Sequence, residues 1–310
     1  MNNKNIIILG PTATGKTRLA AITASKIDGE IISADSRQVY RGMDIGTGKD
    51  LLDYVVDGKT IPAHLIDIAD AGSQYNIFDY SRDFLKAAEE ISAHKKKIVV
   101  CGGSGMYLEA ALGLYQLMET PVDNQFRKEA TDFSDNDLVE MLTALKPLHN
   151  KTDISDRQRL IRAIEIARAE KGTGKMDAKT NLSPVRPDNS LIFGVDFPRE
   201  VIRKRITERL EQRLKGGMLN EVKSLLNIGI KPAALTYYGL EYKYLTLHLT
   251  GNLSYDEMFS LLNTAIHQFA KRQMTWFRRM EKRGISIHWL KGESGPETNA
   301  GVICSLFNNI

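Results

Sequence analysis

The sequence predicts an α/β fold: a parallel sheet covered by helices and interrupted by a small helical insertion. Three observations predict it. Short apolar runs recur through the first hundred residues, each of a length suited to a buried strand. Helical patterns separate them, and strand–helix–strand alternation implies parallel pairing through helical crossovers. From about Pro121 to Arg168 strand signals vanish and helical periods dominate, before another apolar run returns to the sheet.

Taken in order, the expected strands are Asn5–Leu9, Glu30–Ala34, His64–Ile68, Lys97–Cys101 and Leu191–Val195. Lys16–Ile27 and Tyr80–Ala93 carry helical periodicity. The polar stretch Lys171–Ser190, rich in Gly, Ser and Pro, reads as a loop. The chain therefore divides into a core, 1–120 with 185–310, and an insertion at 121–184. In such a sheet functional residues gather at the C-terminal ends of the strands.

Composition narrows the class. With 310 residues, 42% hydrophobic and 26% charged, the chain is ordinary and globular, not fibrous or disordered. Two cysteines, Cys101 and Cys304, build neither a disulfide framework nor a metal site. The opening MNNKNIIILG has too short an apolar run for a signal peptide, and no stretch approaches the roughly 18 apolar residues of a membrane span. A cytoplasmic protein without a membrane segment is expected. The net charge of +4 is modest, but basic residues cluster: seven Lys/Arg against three Glu in Arg199–Lys215, and six against one in Lys271–Arg283. Such clusters suit a polyanion, and equally a solvated helix face.

Residues 10–17, GPTATGKT, fit the phosphate-loop pattern G-x-x-x-x-G-K-[ST] and lie between a strand and a helix. Gly10 and Gly15 would let the backbone around Pro11, Thr12, Ala13 and Thr14 turn its N–H groups inward. Lys16 would supply a point charge and Thr17 a ligand for Mg²⁺. The core is thus expected to be like that of the P-loop NTPases. An NTPase usually adds an acid at the end of another buried strand, yet Lys97–Cys101 runs into CGGSG. The acid stands instead at Asp35, after the second strand. Spacing leaves three roles open for it: metal ligand, base or helix cap.

GPTATGKT, DSRQVYRGMDIGTGK, IPAHLIDI, GGSGMYLEA, DRQRLIRAIEI and AKRQMTWFR occur in this order from about residue 5 to 290. In order and spacing the chain resembles the tRNA dimethylallyltransferases, or isopentenyl-diphosphate:tRNA transferases. The related adenylate isopentenyltransferases share the first half of the pattern. The resemblance implies transfer of a dimethylallyl group from its diphosphate to the exocyclic amine of the adenosine 3′ of the anticodon. The phosphate loop would then hold the diphosphate of the donor, with Lys16, Thr17 and Mg²⁺ stabilising the departing charge. Asp35 would take the proton of the attacking amine. Ser36, Arg37 and Gln38, with Ser104 nearby, would contact the extruded nucleotide. In DRQRLIRAIEI, the stretch Gln158, Arg159, Leu160, Ile161 and Arg162 would bind tRNA, although Leu160, Ile164 and Ala167 fall on the core side. An arginine of REVIRKRITERLEQRL would sit near the diphosphate, Arg209 first and Arg205 second. The partners implied are the tRNA anticodon stem-loop and dimethylallyl diphosphate, bound by a monomer.

Ile266, Phe269, Trp276 and Met280 are expected to form the buried stripe of the basic C-terminal helix. His64, where the family usually has a second histidine beside it, reads as a core or hydrogen-bonding residue, not a ligand. The chain also departs from the family pattern. Ile266-His267 replaces Thr-Arg, Leu240-Glu241 replaces Tyr-Lys/Arg, Arg213 replaces a common methionine, and GLYQLMETPVD lacks a Leu-Pro-Pro entry. The alternatives are an enzyme acting on free AMP, ADP or ATP, a small-molecule kinase, and an RNA-binding paralogue with weakened activity.

Overall fold

A computed structural model of the chain describes residues 4–114, 120–146, 156–172 and 183–309. The chain divides into two compact units, Met1–Leu114 with Ser183–Ile310, and Tyr115–Leu182.

In the first unit, strands β1 (Asn5–Leu9), β2 (Gly29–Ala34), β5 (Ala63–His64), β6 (Lys97–Gly102), β7 (Ser190–Asp196) and β8 (His288–Lys291) form one sheet, with a small hairpin of β3 (Val55–Val56) and β4 (Lys59–Thr60) outside it. The order is β5-β2-β6-β1-β7-β8, and every pair is parallel. The central strands are apolar on both faces because helices cover both. Ile6, Ile8, Val99 and Phe193 face the helices Lys16–Ile27 and Pro296–Asn308. Ile7, Leu9, Val100 and Ile192 face Ile77–Ala93, Gly105–Ala111 and the end of Tyr255–Lys282. A helical layer built on Ile206, Leu210, Met218, Tyr242, Leu262 and Ile266 packs against Ala13 and the loop carrying Val39, Tyr40 and Met43.

Three expectations change. The strand expected at His64–Ile68 is only Ala63–His64, because Leu65 and Asp67 take left-handed φ values of 63° and 55°, which no extended strand accommodates. The edge strand β8 and the closing helix Pro296–Asn308 carry too short or too mixed a pattern to stand out in the sequence. On the helix Tyr255–Lys282, Ile266 and Met280 are buried as expected, but Phe269 is 37% exposed and lies beside Arg272. The buried stripe runs through Leu262, Ile266, Ala270, Gln273, Phe277 and Met280; Phe269 falls on its shoulder. Trp276 is partly buried against the core, with the Arg279 guanidinium 3.8 Å above its ring.

The second unit has its own core, in which Phe126, Leu138, Leu142, Leu160 and Ile164 meet. Glu165 is its polar centre. Its carboxylate accepts from Arg127 (2.7 Å), Arg162 (2.8 Å) and the backbone of Asp123 (3.2 Å). Burial pushes this carboxyl up, but the two arginines outweigh burial and hold it below the ordinary glutamate value of 4.5. A depressed folded pKa means that the stabilisation is complete above the unfolded value and is lost as pH falls through the folded one. Thermal unfolding is therefore expected to lose stability on acidification below pH 4.5 more steeply in the wild type than in Glu165→Gln, which carries no charge to lose. Equal slopes for the two proteins would contradict this. Of GLYQLMETPVD, residues 115–119 lie outside the described residues, as do 173–182 of the expected Lys171–Ser190 loop.

Candidate active site

Register assembles the site. Leu9 pairs with Gly102, and Gly102 pairs with Ala34. The residues that follow, Gly10, Gly103 and Asp35, therefore leave the sheet side by side at its C-terminal edge. Two strand spacings, about 10 Å, separate the start of the phosphate loop from Asp35.

The loop has the backbone its sequence requires. Ala13 (φ 64°) and Gly15 (φ 77°) are left-handed, which turns the intervening N–H groups inward and starts the helix at Lys16. The Thr14 hydroxyl closes the turn by donating to the Pro11 carbonyl at 2.9 Å. Lys16 is half-buried; burial lowers its ammonium pKa, while Cys101 and Asp35 pull it back up. Burial pushes the Cys101 thiol up to about 12, which favours its un-ionised form.

Above the loop opens a cleft of about 1020 Å³, lined by Lys16, Thr17 and by Arg205, Arg209 and Arg213. The three arginines are spaced by four on the helix Arg199–Lys215, so they share one face. Arg205 donates to the Ala13 carbonyl (2.8 Å) and stacks on Phe197; Arg209 reaches the Thr12 hydroxyl (3.4 Å). Arg209 and Arg213 both bind Asp50, at 2.7 and 3.1 Å. Burial raises the Asp50 carboxyl, but Arg213 and Arg209 together hold it below its usual range. Five basic side chains, these four with Arg18, line the cleft against Asp50, Asp53, Glu208 and Glu293; the cations gathered at the phosphate loop suit a negatively charged ligand. Sequence reasoning ranked Arg209 over Arg205 and passed over Asp50 and the cleft-lining role of Arg213.

Two departures from the family pattern meet here. The Glu241 carboxyl is half-buried; desolvation raises its pKa, and Arg213 is the strongest charge opposing that rise. Both line a small pocket beneath Thr12 and Ala13 with Arg209.

Gln273 clamps the loop from behind. Its Oε1 accepts from the Thr12 amide at 2.9 Å and its Nε2 donates to the Gly103 carbonyl at 2.8 Å. A Cβ at Gly103 would lie 2.4 Å from that amide nitrogen, so only glycine permits the approach.

The family model for IPP transferases matches residues 38–280. The chain belongs to this family. It is 55% identical over 285 residues to tRNA dimethylallyltransferase 2 of Bacteroides fragilis, covering 92% of each chain. It is 49% identical over 304 residues to tRNA dimethylallyltransferase 1 of Parabacteroides distasonis, covering 98% of this chain and 97% of that one. Among solved structures, the tRNA isopentenylpyrophosphate transferase of Bacillus halodurans superposes with a TM-score of 0.70 at 28% identity, covering 99% of this chain and 97% of the other. A eukaryotic dimethylallyltransferase acting on tRNA shares the fold, with a TM-score of 0.79 at 23% identity over 97% of this chain and 77% of that one. The IPP-transferase match begins after the phosphate loop and Asp35, so those features stand on the strand–loop–helix geometry.

The segment after β2 is held from several sides. Asp35 Oδ1 accepts from the Arg37 amide (2.9 Å), and Ser104 Oγ accepts from the Ser36 amide (3.2 Å). Gln38 is buried, donating to the Gly48 carbonyl at 3.0 Å and accepting from the Ser33 hydroxyl. Its side chain thus closes the 35–50 loop. Lys49 does similar work: its buried ammonium holds the Tyr40 carbonyl, Asp44 and Asp67. Glu221 accepts from the amides of Asp44, Ile45 and Gly46 and from the Tyr242 hydroxyl. His64 pairs with Glu30 at 2.7 Å.

In the second unit Gln158 and Arg159 are exposed on their helix and Ile161 is half-buried. Leu160 is 1% exposed, so the expected RNA contact is corrected for its side chain: it packs in the unit's core. Arg162 is tied to Glu165 and to the Thr120 carbonyl (2.7 Å), which gives it a structural duty within its own unit.

Proposed function

We propose that the chain is a prenyltransferase that moves a dimethylallyl group from dimethylallyl diphosphate to the exocyclic amine of the adenosine 3′ of the anticodon in tRNA. The reading rests chiefly on one arrangement: a phosphate loop facing three arginines, with a carboxylate two strands away and glycines, not an acid, at the end of β6. Such a cradle suits a diphosphate that departs whole, and the carboxylate suits a proton leaving a nucleophile. The curated relatives named above support it.

In this mechanism Lys16, Arg209 and Arg205 bind the diphosphate oxygens and hold the leaving group. Arg213 and Asp50 set the orientation of Arg209. The amine nitrogen bonds to the allylic carbon as the bond from that carbon to the diphosphate oxygen breaks, and Asp35 accepts the proton the nitrogen sheds. Fixed cations aimed at the leaving oxygens stabilise the charge that develops there. Ser36, Arg37 and Ser104 line the path of the incoming nucleotide, while Gln158 and Arg159 bind tRNA elsewhere on its surface.

Mg²⁺ is the proposed cofactor, and the donor chemistry fits. Thr17 offers a hydroxyl oxygen to the cleft, and among the described residues no group of three His, Cys, Asp or Glu forms a metal site by itself. That suits an ion held mainly by waters and substrate phosphates. When bound, Mg²⁺ neutralises charge on the diphosphate. Among the described residues no helix is long and apolar enough to cross a membrane; the protein is proposed to act in the cytoplasm as a monomer.

The test is incubation with labelled dimethylallyl diphosphate and either unmodified tRNA, AMP or ATP. Label is expected in tRNA. Label entering AMP or ATP but not tRNA would replace this reading with the free-nucleotide one, and label entering nothing would favour an RNA-binding paralogue.

A further inference from the structure

Tyr237 is a large aromatic left in the open beside the acceptor side of the site: it is 56% exposed. It is nevertheless held firmly. The next residue, Tyr238, is buried, packs edge-on against Tyr40 at 4.5 Å, and ties its hydroxyl to the Gly72 amide and the Ser73 carbonyl. The Tyr237 ring meets the Tyr238 ring edge-on at 6.0 Å, and both backbone amides are hydrogen-bonded into the preceding turn. The Arg37 guanidinium stands 5.6 Å from the centre of the Tyr237 ring, and the backbone of Arg37 is bonded to Asp35.

A lone exposed aromatic needs no explanation. This one is rigid, is flanked by a guanidinium, and lies one residue contact from the carboxylate proposed to serve the acceptor base. An exposed ring beside a guanidinium plane is how proteins hold an unstacked base, because any base has a π-face to offer and its phosphate meets the positive charge. Extruding the acceptor adenosine breaks its stacking with its neighbours, so a neighbouring base is left needing a new partner.

We propose that Tyr237, backed by Arg37, is the stacking platform for a base next to the acceptor adenosine, and hence a specificity-determining residue on the RNA side of the site. This rests on the tRNA reading given above. Tyr237 is not among the residues lining the cleft above the phosphate loop, so the effect is expected on RNA binding and not on the donor.

The experiment compares Tyr237→Ala and Tyr237→Phe with wild type, using an anticodon stem-loop, by steady-state transfer and by fluorescence anisotropy of the labelled RNA. Stacking is worth about 1–3 kcal/mol per base, so Tyr237→Ala should raise KM and Kd for the stem-loop by roughly 5- to 150-fold. Tyr237→Phe should stay within about twofold of wild type. The KM for donor, kcat at saturating RNA, and the melting temperature should not move. A stem-loop abasic at the position stacked on Tyr237 should bind wild type as weakly as the intact RNA binds Tyr237→Ala, with no further loss in the variant. The proposal is overturned if Tyr237→Ala keeps its RNA affinity, if alanine and phenylalanine lose it equally, or if no abasic position removes the difference. Wild type that binds the stem-loop through Tyr237 without modifying it would sink the prenyl-transfer reading and leave this one standing.

Discussion

Replacing Asp35 with alanine or asparagine is expected to slow single-turnover transfer to tRNA by about 10²–10⁴-fold, the range of a lost general base. The two variants separate chemistry from architecture. Asparagine keeps an oxygen that can accept the Arg37 amide, so the turn after β2 survives, but it cannot take a proton. If Asp35 serves mainly the turn, asparagine will be active and alanine will not. If it serves as the base, both will be slow, with affinity for tRNA and donor held within a fewfold of wild type. Full single-turnover activity in Asp35→Asn would remove the assignment.

Gln273→Leu is expected to lower stability by about 2–6 kcal/mol, because it orphans two backbone groups, the part-buried Thr12 N–H and the buried Gly103 carbonyl, at roughly 1–3 kcal/mol each. The loss should be larger than for a surface change on the same helix, such as Thr275→Ala. Donor affinity should fall as well, since the amide of Thr12 belongs to the phosphate loop. Gln273→Glu is the sharper variant. It can still accept from Thr12, but its carboxylate would face the Gly103 carbonyl and repel it. A melting temperature within a degree of wild type for Gln273→Leu would show that the clamp carries no weight.

The glutamine illustrates what a sequence conceals. It sits in AKRQMTWFR, a stretch readable as a basic helix, and periodicity puts it on the buried side among Ala270 and Phe277. Nothing in its spacing says that it reaches across to two loops more than 150 residues away in sequence. The same holds for Asp50, whose partners Arg209 and Arg213 come from a helix far along the chain. Arg213 and Glu241 looked, one at a time, like unrelated departures from the family pattern. In three dimensions they line one pocket, where the Arg213 charge opposes the rise that burial imposes on the Glu241 carboxyl.

Phe269 and the strand expected at His64–Ile68 mark where local patterns misled. A phenylalanine one step off the stripe scores as apolar whether or not a neighbour covers it. An apolar run scores as a strand whether or not its backbone can stay extended, and Leu65 and Asp67 do not.

The sequence by itself determined the layered α/β class, the phosphate loop, the carboxylate after the second strand and the helical insertion. These depend on periodicities of two and 3.6, on glycine punctuation and on short fixed spacings, all local properties of the chain. Only the tertiary structure decided which arginines face the cleft, that Gln273 holds the loop, that Gln38 and Leu160 are buried, and that Tyr237 stands open beside Arg37. Those depend on which elements meet. Meeting is governed by strand order and helix packing, and contacts between residues distant in the chain leave no periodic trace in it.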